Sequence, residues 1–301
     1  MTILPSEEPD KLEMAKAYCS NKNICQRSFS GTPHIQVIDA TTSTTSGNYN
    51  FSYTVQNHAG TEIWQSTFQV EDEFEEKPFL VALQEIVADI KIRAPKVLFT
   101  EFDVHPCASP KLIEALKRHG YQSSPGHESV IVTGEIKVLS TSLGSSSSSK
   151  QLSVLRLSQP QHGRDFGRAC VEAYGLEGTP WGDQLIDCAE CWATRERDSP
   201  QYLYFVGYYT TETNSKDPAV CLALCLAAGI VGIHLAGTRP KYQRKGLFHE
   251  LLSTVLQEHL PKYNGDQNYT HYAASARSTT AVFFQKHGAI AAATKSKYLI
   301  G

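Results

Sequence analysis

The sequence predicts a mixed α/β fold: a mainly antiparallel sheet with flanking helices, built twice along the chain. Three observations predict it. Strand-like and helix-like apolar patterns alternate over the whole length. Two widely separated stretches repeat at one constant offset. Between them, Ser140–Lys150 reads STSLGSSSSSK, the composition of a flexible connector. That divides the chain into residues 1–140, a linker at 141–150, and residues 151–301, both halves being of single-domain size.

In the first half, residues 34–40, 49–56 and 62–70 carry the β-branched and aromatic alternation of successive strands. A helix is expected over 79–92, a strand over 97–104, a helix over 110–119, and a closing strand over 130–139. In the second half, a strand at 154–157 precedes helices at 164–174 and 183–193. The aromatic-rich run 202–209 reads as a strand. Ala219–Ile233 (AVCLALCLAAGIVGI) has 15 uncharged residues, fewer than the roughly 20 needed to span a bilayer. It reads instead as two buried strands turning at Ala228–Gly229. Residues 246–260 form an amphipathic helix with Leu247, Leu251, Leu252, Val255 and Leu256 on one face. A strand at 269–275, a helix at 279–287 stopped by Gly288, and one or two strands at 290–300 complete the order.

The repeat aligns Glu71–Val87 with Arg239–Val255, an offset of 168. Lys77 falls on Lys245, Leu83 on Leu251, Val87 on Val255, Phe74 on Tyr242 and Phe79 on Leu247. Without a gap, His119-Gly120 falls on His287-Gly288.

Hydrophobic residues make up 41% of the chain and charged residues 20%, which excludes collagen-like and wholly disordered readings. The net charge of −3 argues against a general nucleic-acid partner. The polar, acidic start MTILPSEEPDKLEM has no basic n-region and no apolar h-region, so a cytoplasmic protein with no membrane association is expected. The eight cysteines are then reduced thiols. Cys188-x-x-Cys191 and Cys221-x-x-x-Cys225 lie in an amphipathic helix and an apolar run, where Cys is a common buried hydrophobe, so no metal site is expected.

Chemistry concentrates between the strand 230–235 and the helix 246–260. Arg239, Lys241, Arg244 and Lys245 place four positive charges within seven residues at a helix N-terminus. On charge alone this is a phosphate or pyrophosphate site or a solvated basic loop. The repeat separates the two halves: residues 71–77 hold five acids and one base, residues 239–245 four bases and no acid. Pro78 stands where Gly246 stands and has no N–H to offer. Only the second copy suits a polyphosphate.

With these residues in place, the second half resembles the GNAT-type N-acetyltransferases. Gln243-Arg244-Lys245-Gly246-Leu247-Phe248 is similar to that family's Gln/Arg-x-x-Gly-x-Gly/Ala loop. Ser278-x-x-Ala281-x-x-Phe284-x-x-x-Gly288-Ala289 is similar to its Asn-x-x-Ala-x-x-Tyr-x-x-x-Gly-Phe element. The resemblance covers residues 152–301 and, through the repeat, extends more weakly to a degenerate first half: a tandem GNAT-like chain. It implies acetyl-CoA as cofactor and acetyl transfer to the amine of a small molecule or peptide. The amides of Gln243 to Phe248 would cradle the pyrophosphate. The backbone of Leu235, Ala236, Gly237 and Thr238 would bond the pantetheine arm, and Ser278 would complete the set.

Four positions depart from the family pattern. Phe248 replaces a small residue, Ser278 an Asn, and Phe284 the Tyr that serves as general acid; Gly232 stands where some members place a Glu base. His234, two residues on and on the same strand face, is the candidate general base. Tyr272, Tyr208 and Tyr209 are candidate acids. His287 reads as a helix-end residue. The missing Tyr and Glu keep a second reading open: a catalytically inactive module that binds or senses acyl-CoA.

Overall fold

Asp10 opens the first helix. Its side chain accepts from the Leu12 N–H at 2.9 Å and its carbonyl from the Met14 N–H, as an N-cap does. In this computed structural model, residues 10–27, 35–44, 47–58, 61–69, 75–93, 97–104, 110–123, 129–144, 151–195, 201–263 and 268–300 are described. The first half runs α1 (Lys11–Arg27), β1 (Ile35–Thr44), β2 (Gly47–His58), β3 (Thr61–Gln69), α2 (Glu76–Arg93), β4 (Val97–Val104), α3 (Pro110–Arg118), β5 (Gln122–Ser123), β6 (Ser129–Glu135) and α4 (Ile136–Ser142). The second runs β7 (Leu152–Arg156), α5 (Pro160–Tyr174), α6 (Pro180–Arg195), β8 (Tyr202–Thr210), β9 (Lys216–Ala227), β10 (Ile230–Thr238), α7 (Leu247–Thr254), β11 (His271–Ala276), α8 (Ser278–Lys286) and β12 (Ile290–Ile300).

One sheet carries all the strands, in the order β1-β2-β3-β4-β12-β6-β11-β10-β9-β8-β7, with β5 beside β12. Apart from β7 and β5, the order reads as a palindrome. β1 to β4 pair antiparallel, antiparallel, then parallel. So do β8 to β11. The 168-residue offset carries the bounds of α3 onto those of α8, and β1, β2 and β3 onto β8, β9 and β10 to within two residues. The sequence repeat is thus a repeat of topology.

The centre of the palindrome is an exchange. β6, from the first half, lies between β11 and β12. β12, the last strand, lies between β6 and β4. Helix α1 also crosses over: Met14, Ala15, Tyr18 and Cys19 pack against Ile131 of β6, Ile230 of β10 and Ala273 of β11.

Two helical layers enclose the second-half strands. On one face α5 and α6 pack on β8 and β9 through Phe166, Leu185 and Trp192, with α1 alongside. Gly163 and Gly167 let α5 and α6 meet closely: a Cβ on Gly163 would stand 2.3 Å from the Ala189 carbonyl oxygen, and one on Gly167 2.7 Å from the Ile186 Cα. On the other face α7, α8 and α4 bury Leu247, Leu251, Leu252, Phe284 and Leu139 against β10 and β11.

Several expectations need correction. The strand expected to close the first half at 130–139 is β6 followed by helix α4, and it sits in the second half's sheet. The linker expected at 141–150 starts late: Thr141 and Ser142 end α4, where the Ser142 hydroxyl bonds the Leu139 carbonyl, and Leu143 is buried. Residues 145–150 lie outside the described residues. The helix over 246–260 is α-helical only to Thr254, then widens to a π-turn at Val255–His259 and tightens at Leu260–Lys262, where Pro261 cannot donate. β12 is one strand. The β9–β10 hairpin turns where expected, on Ala228 (φ 53°) and Gly229 (φ 73°), the two left-handed residues of a type I′ turn. Among the described residues no helix is long and apolar enough to cross a membrane.

Candidate functional site

The site begins where β10 leaves its neighbours. β10 pairs with β11 only through Val231, Gly232 and Ile233. Its register with β9 shifts between His234 and Gly237, and Leu235 takes φ 42°, in the left-handed region. Such a bulge re-aims the strand. Beyond Ile233 the two parallel strands stand apart.

The backbone of this stretch has local partners. The Cys221 thiol, buried in β9, donates to the Leu235 carbonyl at 3.4 Å and to that of Gly237 at 3.6 Å. The Tyr174 hydroxyl, at the end of α5, donates to the Ala236 carbonyl at 3.2 Å. Tyr174 is 47% exposed as a residue, yet the protein around its hydroxyl, with the nearby Cys170 and Cys221 thiols, pushes its pKa well up. Gln243 donates to the Thr238 carbonyl at 3.3 Å.

The four cations of the loop divide in two. The Arg239 side chain is 11% exposed and held by Glu172 at 2.6 Å and Asp217 at 2.7 Å. Lys241 and the Tyr242 hydroxyl both reach the other Asp217 oxygen at 2.6 Å. Burial alone would raise the pKa of Asp217, but the bonds from Lys241, Tyr242 and Arg239 outweigh it and hold it at about 2. Arg239 and Lys241 therefore brace α5, β9 and the loop, which corrects the sum of four charges facing an anion. Arg244 and Lys245 are exposed and, among the described residues, have no carboxylate partner. Lys245 Nζ lies over the Tyr209 ring, 4.7 Å from its centre.

Backbone signs alternate through the turn: Gln243 at φ −61°, Arg244 at 63°, Lys245 back in the negative range, Gly246 at 76° as the N-cap of α7. The left-handed Arg244 and Gly246 turn the chain sharply into the N-terminus of α7, where first-turn backbone N–H groups suit an anion. A Cβ on Gly246 would meet nothing within 4 Å, so space lies open against the loop. Leu247 is buried in the core below. Phe248, the bulky departure, turns its ring away to pack on Phe283 and Phe284, at 5.4 and 6.5 Å between centres. Ser278 is the first residue of α8.

Among the candidate acids and bases, His234 lies on the face covered by α1. Tyr18 stacks on its ring at 5.6 Å, and its Nε2 stands 2.9 Å from Asn21 Oδ1. Asn21 is fully buried, and its Nδ2 donates to the carbonyls of Cys225, Ala227 and Ile230. A Cβ on Gly232 would run into Asn21 and into His234 Nε2, so the space of the family's Glu is already filled. Tyr272 is fully buried against Phe284, and among the described residues its hydroxyl has no hydrogen-bond partner. Burial pushes its pKa up. Tyr208 donates to Asp165 at 2.8 Å within the α5–β8 core. His287 lies past α8 beside Ser142 and His249, away from the strand opening; burial, then His249, lower its pKa.

Sequence reasoning missed Asn21 because it missed α1. The apolar face of that helix is short, and its signal was Asp10-x-x-Glu13, an acidic cap pair before Met14.

No family model and no curated protein matches the sequence. Solved structures do match in shape. A tandem GNAT protein from the clavulanic acid biosynthesis pathway aligns over 99% of this chain and 96% of its own, at TM-score 0.64 and 8% identity. A GCN5-related N-acetyltransferase from Kribbella flavida aligns over 94% and 95%, at 0.58 and 11%. One from Sphaerobacter thermophilus aligns over 97% and 91%, at 0.57 and 12%. The palindromic sheet, the parting of β10 from β11 and these alignments agree: the chain has the fold of the GNAT-type N-acetyltransferases, in tandem.

Proposed function

We propose that the protein is an acetyl-CoA-dependent N-acetyltransferase that acts on the amine of a small molecule or peptide, with its cofactor site in the second half. One observation carries this: β10 parts from β11 and leads, through a bulge, into an open loop with two left-handed residues and two cations that, among the described residues, have no carboxylate partner. The amides of Gln243 to Phe248, with Arg244 and Lys245, would hold the pyrophosphate. Residues 235–238 would lie along the pantetheine arm, with Tyr174 and Cys221 fixing the carbonyls of 235, 236 and 237. The bound cofactor supplies an activated acetyl thioester. His234 would take a proton from the acceptor's ammonium group, which frees the amine lone pair to attack the thioester carbonyl. Holding both reactants in line supplies much of the acceleration, which lessens the need for a dedicated acid.

The test is a thermal-shift titration with acetyl-CoA on the wild type and on Arg244→Glu/Lys245→Glu. At 100 times Kd the ligand adds about 2.7 kcal/mol to native stability. A shift of several degrees in the wild type, lost in the variant, is expected. No shift in the wild type ends the proposal. Phe284, 1% exposed in the core and without a proton to give, favours a second reading as an inactive acyl-CoA-binding module. Binding without thiol release across an amine panel would select it.

A further inference from the structure

Past their last pair, Ile233 with Ala274, strands β10 and β11 border an opening. Counted on in the same register, Arg277 falls opposite Ala236. Along β11 every second side chain shares a face. Ala273 packs on α1, so Ser275 and Arg277 belong to the face of α1 and α5, across the sheet from α7 and α8. Two hydroxyls lie on that face. The Ser275 backbone meets that of Tyr18, carried in on α1. That of Tyr174 donates to the Ala236 carbonyl. A Cβ on Gly237 would stand 2.6 Å from the Ala173 Cβ, so the end of α5 lies directly on β10.

The charge at this opening is positive. Besides thiols and each other, the side chains that act most on the two hydroxyls are Lys22 on Tyr18 and Arg277 on Tyr174, and both are cations. Glu172, two residues before Tyr174, is taken by Arg239 at 2.6 Å. Arg277 is exposed, and among the described residues it has no carboxylate partner. A guanidinium so placed repels a purely cationic acceptor such as a polyamine. It suits an acceptor that brings its own anion, because its planar fork takes a carboxylate through two parallel hydrogen bonds.

We infer that the acceptor is an amino acid, whose α-carboxylate is taken by Arg277 while its amine faces the opening between β10 and β11. This rests on the acetyltransferase reading above and narrows its small molecule or peptide to one substrate class. Arg277 is then a specificity residue, set apart from Arg244 and Lys245 at the cofactor loop.

Thiol release from acetyl-CoA is followed with glycine, leucine, phenylalanine and glutamate, each against its α-amide, and with spermidine. In the wild type the best amino acid is expected to exceed its amide, and spermidine, by at least roughly 10-fold in kcat/KM, through KM. Arg277→Gln is expected to erase that preference. Arg277→Lys should keep part of it, since lysine retains the charge without the fork. Arg277 is exposed at the N-cap of α8, so neither change reaches the core. Acetyl-CoA affinity in calorimetry is expected to be the same in all three proteins. Amides or spermidine used as well as the amino acids overturns the inference. So does an undiminished preference in Arg277→Gln, or a loss confined to acetyl-CoA affinity. No thiol release with any amine overturns the acetyltransferase reading instead. Calorimetry of the four amino acids with the CoA-loaded protein then decides the carboxylate site alone: binding lost in Arg277→Gln upholds it, and no binding ends it.

Discussion

The two halves share a topology and differ where the site stands. In the first, β3 pairs with β4 from Glu62 to Thr67, and its register with β2 runs without a shift. In the second, the equivalent β10 holds β11 for only three residues and bulges from β9 just beyond. The halves differ again in the next loop. Pro78 sits in the first turn of α2 at the position of Gly246, and Glu76 is engaged by Arg118 at 2.7 Å. A strand pair that stays zipped leaves no edge for an extended ligand, and a loop without the N–H at 78 is a poorer cradle. On the proposed function, the fold alone does not make a site; an opened strand pair and a left-handed loop are needed as well.

The comparison can be broken at its strongest point first. Arg239→Met leaves Glu172 and Asp217 facing each other across a half-buried gap. It is expected to cost roughly 2–4 kcal/mol in urea unfolding and to loosen the loop. A loss within 0.5 kcal/mol, about that of an ordinary surface change, would mean the brace is incidental. Gly232→Ala is expected to cost about 1–3 kcal/mol, because the new Cβ displaces Asn21 or His234. A loss within 0.5 kcal/mol in the same urea unfolding would mean that the pair gives way without strain. A third effect depends on pH. Asp217 has a folded pKa of about 2, below the ordinary 3.8. Its contribution is complete above the unfolded value and disappears as pH falls from about 4 to about 2. Asp217→Asn should flatten the stability profile in that window, and an unaltered profile would remove Asp217 from the network. The smallest effect is the most telling: Glu75→Lys/Pro78→Gly should give no second acetyl-CoA site in calorimetry, because β3 and β4 remain paired. A stoichiometry of two would show that loop chemistry alone suffices.

Much of this was legible in the sequence because it is local. The 168-residue register named the topology twice over, and Ala228-Gly229 placed the hairpin. The basic loop and its departures were visible as residues. What was hidden is non-local. Nothing near Arg239 announces that Glu172 and Asp217 neutralise it. Phe248 looked obstructive until Phe283 and Phe284 gave its ring a place. The crossing of β6 and β12 leaves no trace in a strand's own pattern, since a buried strand reads alike beside either neighbour.

That crossing bears on how such a molecule arises. A half-length chain of this topology would expose the edge of its fourth strand, and its last strand would reach over a second chain. Two copies facing each other would satisfy both at once, with the symmetry of a twofold homodimer. Joining the copies end to end lets the two differ in sequence, as the acidic residues 71–76 and the basic residues 239–245 do.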